Sequence, residues 1–182
     1  MALDDLVTLG EAVRHATRTL AAAMGPGISP LTGQPIFAQP ADEVYIGMGV
    51  HGEPGVRRRK VGPVRDLVGF MLDALMADRP IARGTPVVSI VNGTGGCTMM
   101  ELLTVYRELG LALDALGIPY RAPLIGSFSI TQEMAGFSIR VLTPIPQMLA
   151  LWLAPHAAPQ FPVLHGGGRD DAGRAVLSRL CR

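Results

Sequence analysis

Near the start of the chain, Leu6, Leu9, Val13, Ala16, Leu20 and Met24 recur at three- and four-residue steps. That spacing gathers them on one side of a helix running from Leu3 to Met24, which Gly25-Pro26-Gly27 then stops. Residues 28–40 are rich in Pro, Gly, Ser and Thr and read as a connecting loop. Glu43 to Val50 carries β-branched and aromatic side chains, so a strand is expected that leads straight into His51. A loop from Gly52 to Gly62 comes next. Pro63 then fits the first turn of a second helix, with Leu67, Val68, Met71, Leu72 and Leu75 on one side and Arg79-Pro80 at its end.

Pro86 to Val91 is a short, almost wholly apolar strand, followed by the turn Asn92-Gly93-Thr94-Gly95-Gly96 and a strong helix from Thr98 to Leu116. Two further strands, about Tyr120 to Phe128 and Phe137 to Leu142, precede a short helix from Pro146 to Leu153. This alternation predicts an α/β fold bordering on α+β, a mixed β-sheet with packed helices. Past Pro155 the composition shifts toward Ala, Pro and Gly. We therefore expect one domain over 1–155 and a tail over 156–182, with a short helix possible from Asp170 to Arg182.

The chain has 182 residues, enough for one well-buried core and too few for two large ones. With 48% hydrophobic and 17% charged residues it should fold compactly, and a net charge of +1 leaves no broad field to hold a polyanion. Nucleic acid is not an expected partner. Met1-Ala2-Leu3-Asp4-Asp5 lacks a basic-then-apolar leader pattern, and no apolar run approaches the roughly 20 residues that span a bilayer, so a cytoplasmic protein with no membrane contact is expected. Cys97 and Cys181 are too few and too far apart for a disulfide framework or a zinc site, and no metal is expected.

His51 directly follows a predicted strand and is bracketed by Gly49, Gly52 and Gly55, with Pro54 stiffening the turn. Ligands of open α/β sheets are met at the carboxyl ends of strands, where flanking glycines let backbone and ligand approach closely. Neutral imidazole keeps a nucleophilic lone pair near pH 7 and can add to a ketone carbonyl, which would distinguish a ketose from a simple alcohol. Taken alone, a histidine in such a turn more often only caps or packs than captures a ligand.

The run Asp42-Glu43-Val44-Tyr45-Ile46-Gly47-Met48-Gly49-Val50-His51-Gly52-Glu53-Pro54-Gly55-Val56 resembles the signature of the dihydroxyacetone-binding subunit of dihydroxyacetone kinases. Ser89 to Gly96, Met100-Glu101-Leu102 with Tyr106, Leu124-Ile125-Gly126, Met134 to Ile139, and Leu149 to Trp152 with Ala154-Pro155 are similar to further stretches of that family, in order. The resemblance runs from about Leu3 to Pro155 and covers only the family's C-terminal domain. It implies that domain's fold and a covalent hold of His51 on the substrate's carbonyl carbon. The family's preceding domain, with its Gly-Gly-Ser-Gly-His-Glu motif and catalytic aspartate, has no counterpart here. Gln132-Glu133 stands where the family usually has Leu-Asp, and Leu153 where it has Asp.

The resemblance therefore implies one part of a kinase acting on dihydroxyacetone or a related short ketose such as erythrulose, inactive alone. A second chain would bring the missing N-terminal half, and a nucleotide-binding or phosphocarrier subunit would bring the phosphoryl group, from ATP or from phosphoenolpyruvate; assembly into an oligomer is expected. The chain shows no nucleotide-binding motif and is expected to bind no cofactor itself. The alternative is a non-catalytic ketose-binding sensor or regulatory module, and a third reading is an assembly subunit with a vestigial site. Gly52 and Glu53 are candidate substrate contacts beside His51. Gly93, Gly95 and Gly96 could present N–H groups to an anion, although tight strand-to-helix packing is the plainer use of such a turn, which lacks the P-loop Lys and Ser or Thr. Arg57-Arg58-Arg59-Lys60 could hold a phosphorylated ligand or an acidic partner, or be a solvated loop. His15, amid the first helix, should face solvent. His165-Gly166-Gly167-Gly168 has no accompanying nucleophile elbow and reads as tail.

Overall fold

The computed structural model describes residues 1–50 and 53–156. Six strands and four helices follow one another in the chain: α1 (Leu3–Ala16), β1 (Thr17–Ala23), β2 (Glu43–Ile46), β3 (Arg57–Lys60), α2 (Val64–Asp78), β4 (Val87–Gly93), α3 (Met99–Leu116), β5 (Tyr120–Gly126), β6 (Gly136–Leu142) and α4 (Pro146–Leu153). The strands form one sheet in the order β3-β2-β1-β6-β4-β5. Only β4 and β5 run parallel; their connection passes through α3, as a parallel crossover requires. The other pairs are antiparallel, so the expected mixed α/β sheet with packed helices is what the chain builds.

The α2 and α3 helices cover one face of this sheet. From α2 come Val68, Met71, Leu72 and Leu75, and from α3 Leu102, Val105, Tyr106, Leu109 and Leu113, all buried. They meet Ala22 of β1, Val44 and Ile46 of β2, Val87 and Val91 of β4, and Phe137, Ile139 and Val141 of β6. The alternation along each strand selects this set, because every second side chain points to the helices. On the opposite face a smaller cluster joins Ala23, Tyr45, Met48 and Met134, with Ile36 and Phe37 packed against it. Beside it α1, α4 and the sheet leave an apolar groove that Leu9, Ile90 and Trp152 help to line.

Three sequence expectations are corrected. The first helix ends at Ala16, and Thr17–Ala23 is a strand whose seven residues all pair with β6. Alanine-rich sequence favours a helix locally, but a full ladder of strand pairing outweighs propensity differences of a few tenths of a kcal/mol per residue. The loop expected from Gly52 to Gly62 contains β3, an edge strand paired residue for residue with β2. The strand expected from Glu43 to Val50 is shorter, ending at Ile46. The tail expectation, its terminal helix included, lies outside the described residues apart from His156, whose ring nitrogen Nδ1 sits 3.0 Å from the Ala154 carbonyl.

Helix α3 has both ends sealed. Thr98 Oγ1 accepts from Glu101 N at 3.3 Å while Glu101 Oε2 accepts from Thr98 N at 2.7 Å, a reciprocal capping box, and Gly117 closes the other end in a left-handed conformation with φ 67°. The bonds from Thr98 hold the Glu101 carboxyl below its ordinary range. A depressed carboxyl favours the folded state above the unfolded-state value and loses that contribution as pH falls through the folded-state one. Urea midpoints should therefore drop more between pH 6 and 3 in the wild type than in Glu101→Gln. Leu109, fully buried, should cost about 2–5 kcal/mol as Leu109→Ala, whereas exposed Leu3→Ala should stay within about 0.5 kcal/mol by the same measurement.

Candidate functional site

The segment carrying the sequence-predicted site connects β2 to β3. His51 and Gly52 lie outside the described residues. What flanks them is firmly tied to the sheet: Gly47 N donates to Ala21 O at 2.7 Å, Val56 N to Ile46 O at 2.8 Å, and Gly49 N to Glu53 O at 3.1 Å. Met48 is buried in the smaller cluster. Gly55 lies so close to the end of β2 that a Cβ there would meet Ile46 O at 2.6 Å. The glycine-rich sequence around His51 is thus a connection pressed against its own strand. Glu53 reaches back over Gly49, where an added Cβ would meet its Oε2 at 1.9 Å. Its side chain is therefore folded toward the segment that leads into His51.

The second glycine-rich turn has its backbone engaged. Thr94 N donates to Gly136 O at 3.0 Å and Gly96 N to Met134 O at 2.8 Å. Gly95, at φ 134°, has Thr131 O only 2.4 Å from where a Cβ would stand, so no other residue fits without a shift. Gly93 ends β4, paired with Phe137. Close packing of the turn against residues 131–136 accounts for the glycines here, and two of the amides an anion would need are already used.

Met134 brings the two glycine-rich segments together. Its side chain packs with Met48, and its carbonyl accepts from both Gly96 N and Thr94 Oγ1, the latter at 3.0 Å. Asn92, 1% exposed, fixes the neighbouring loop: Oδ1 accepts from Phe128 N and Ser129 N, both at 2.8 Å, and Nδ2 donates to Ser129 O at 2.8 Å and Gly93 O at 3.1 Å. An amide has two donors and two acceptor positions, and this one uses all four.

The structure also assembles a pocket that the sequence did not disclose. Phe37 stacks on Tyr45, ring centroids 5.8 Å apart, and the Tyr45 hydroxyl donates to Ala38 O at 3.0 Å. Arg58, directly across the sheet from Tyr45, lays its guanidinium over that ring at 4.4 Å. With Met48, Pro54 and Gly55 these residues line a pocket of about 300 Å³ beside the β2–β3 connection. On the other face Arg57 and Arg59 lie over Phe70. A cross-strand pairing of alternate arginines with an aromatic would have been the signal, visible only once residues 57–60 are read as a strand. Elsewhere, Cys97 is half-buried with its thiol pushed up by burial, and His15 is exposed on α1 as expected. Among the described residues no helix is long and apolar enough to cross a membrane.

Residues 1–160 match the Dak1 domain family. The chain belongs to that family. It is 29% identical over 161 residues to the dihydroxyacetone-binding subunit DhaK of PTS-dependent dihydroxyacetone kinase 2 from Listeria innocua, covering 88% of this chain and 49% of the relative. It is 31% identical over 159 residues to D-erythrulose kinase from Mycolicibacterium smegmatis, covering 87% of this chain and 27% of that one. This Dak1 chain thus spans about half the length, or less, of the curated relatives it matches. Among solved structures, the dihydroxyacetone kinase operon co-activator Dha-DhaQ superposes with a TM-score of 0.77 at 25% identity over 85% of this chain and 48% of that one. The dihydroxyacetone kinase of C. freundii has the same fold, with a TM-score of 0.70 at 21% identity over 93% of this chain and 33% of that one.

The Asn92 clamp makes its own prediction. Asn92→Ala leaves the amides of Phe128 and Ser129 without their acceptor and should destabilise the Dak1 fold by about 1–3 kcal/mol in urea unfolding. Amide exchange at residues 128–129 should accelerate more than at the β4–β6 ladder.

Proposed function

We propose that this chain is the ketose-capturing part of a kinase for dihydroxyacetone or a related short ketose, with His51 as the residue that holds the substrate covalently. The observation that carries this reading is the β2–β3 connection. It is a glycine-rich segment that follows a strand directly and is pinned at both ends to the sheet, in a Dak1 chain whose relatives include proteins named as dihydroxyacetone-binding subunits. In this reading a lone pair of the neutral His51 imidazole adds to the carbonyl carbon. The carbonyl π pair moves to oxygen, which takes the proton released from the other ring nitrogen, giving a neutral hemiaminal. Nothing leaves, so the step is reversible. A simple triol has no carbonyl and escapes the trap. Glu53, folded back toward the same segment, and Gly52 are the proposed neighbours of the bound ketose.

Phosphoryl transfer needs a base for the substrate hydroxyl and a donor. The family's glycine-rich Gly-Gly-Ser-Gly-His-Glu motif and catalytic aspartate have no counterpart in this sequence. A separate chain supplies that half in our reading, and a nucleotide-binding or phosphocarrier subunit delivers the phosphoryl group from ATP or phosphoenolpyruvate within a cytoplasmic oligomer. The second reading is a non-catalytic ketose-binding module. It is favoured by the likeness to a protein described as an operon co-activator, which shares this fold at a TM-score of 0.77.

Dihydroxyacetone labelled with ¹³C at its carbonyl tests the capture step. Bound to the full chain, with the complementary half co-expressed, its carbon resonance should move from the ketone region to that of a tetrahedral carbon, and His51→Ala should abolish both that signal and turnover. Ketose binding and turnover that survive His51→Ala would overturn the proposal. A tetrahedral signal from the chain by itself, with no partner that confers turnover, would favour the binding module.

A further inference from the structure

Among the described residues, several cations are matched by a carboxylate. Arg14 pairs with Glu11, Arg18 with Asp78, Lys60 with Asp42 and Glu43, and Arg107 with Glu108. Arg58 is different. Among the described residues it has no acidic partner, and its defined contact is the face of Tyr45, 4.4 Å from the ring centroid. Edge strands often carry Lys or Arg simply to discourage pairing with another chain, and that purpose needs charge without orientation. Lys60, at the far end of β3, already places a charge on that edge.

Arg58, by contrast, is oriented. The Tyr45 ring beneath it is fixed twice, by its stack on Phe37 and by the hydroxyl bond to Ala38 O at 3.0 Å. The three planar groups place a guanidinium at the lip of the pocket of about 300 Å³ beside Pro54 and Gly55. A stacked guanidinium keeps its N–H edges available in a rigid fork, and that fork matches two oxygens of a phosphate or carboxylate. The pocket is at the lower end of the size range of small-molecule sites, large enough for a three- or four-carbon phosphate and small for a whole nucleotide.

We propose that the pocket beneath Arg58 binds a phosphate monoester dianion, with the Arg58 guanidinium as its bidentate donor on the Tyr45–Phe37 platform. The ester comes either from a phosphorylated short ketose, seated whole with its carbon chain against Met48, or from the terminal phosphate of a nucleotide whose remainder lies outside. The site is independent of covalent capture at His51.

The full chain, with its arginine side-chain Nε–Hε resonances followed by NMR, is titrated separately with dihydroxyacetone phosphate, ATP and inorganic phosphate. A saturable shift at Arg58 is expected with inorganic phosphate and, more tightly, with one of the two esters. Tighter binding of the ketose phosphate assigns the pocket to the product side of the reaction, and tighter binding of ATP assigns it to the donor. Arg58→Gln should weaken that binding about tenfold or more, because a charge-assisted contact is lost. Arg58→Lys should recover only part of it, while Arg65→Gln on α2, whose arginine faces Asp66, should leave it unchanged. His51→Ala should also leave phosphate binding intact. Failure of all three ligands to shift Arg58 at millimolar concentration, or equal affinity in Arg58→Gln, overturns the proposal. In either case the tetrahedral-carbon signal of the ketose adduct stands or falls separately, so the loss of one site is not mistaken for the loss of the other.

Discussion

Phe137, Ile139 and Val141 of β6 are sealed beneath α2 and α3, and the same strand pairs on one side with all of β1 and on the other with β4. The rest of the molecule hangs on that double pairing. Through β1 it fixes β2, since Ala22 and Ala23 pair with Ile46 and Tyr45. Through β2 it fixes β3 and the connection between them. Through β4 it fixes the Asn92–Gly96 turn, whose Thr94 amide closes onto Gly136 at the start of β6. A one-residue slip in β6 would turn its core side chains to the opposite face and displace both glycine-rich segments together.

That dependence explains which elements were legible in the sequence. α2 and α3 carry one-sided apolar patterns with clear ends, and the boundaries of α2, α3 and α4 in the structure match the sequence reading to within a residue or so. β4 is a buried strand with a mostly apolar run, and it was legible, as were β5 and β6 near their observed positions. β1 was not, because Thr17 to Ala23 satisfies a helical spacing while its strand state comes from long-range pairing with residues 136–142. Nor was β3: four consecutive cations carry no apolar alternation, and what holds them in a sheet is pairing with β2 plus aromatic partners on both faces.

The candidate site divides along the same line. The His51 segment announces itself by residue type, since a histidine between glycines after a strand is a pattern readable one residue at a time. The Arg58 pocket depends on Phe37, Tyr45 and Arg58, three side chains from a loop and two strands that only the sheet register brings into one stack. Asn92 is intermediate. It stood out as part of a glycine-rich turn, but its role in holding residues 128–129 needs the parallel pairing of β4 with β5 to bring those residues within reach.

The contrast between the two segments has a physical basis in what each ligand would demand. A covalent adduct gains its energy from a bond, so a capturing residue needs reach and a free lone pair more than a rigid surround. A phosphate held only by charge and hydrogen bonds has no such reserve, and each freely rotating side chain that must be ordered on binding subtracts from the affinity. An exposed arginine–aromatic contact contributes only about 0.5–1 kcal/mol to stability, which makes it a weak reason to stack three groups for the sake of the fold. Ordering the fork beforehand, on a ring itself fixed by Phe37 and Ala38, is what converts an exposed edge arginine into a defined anion site.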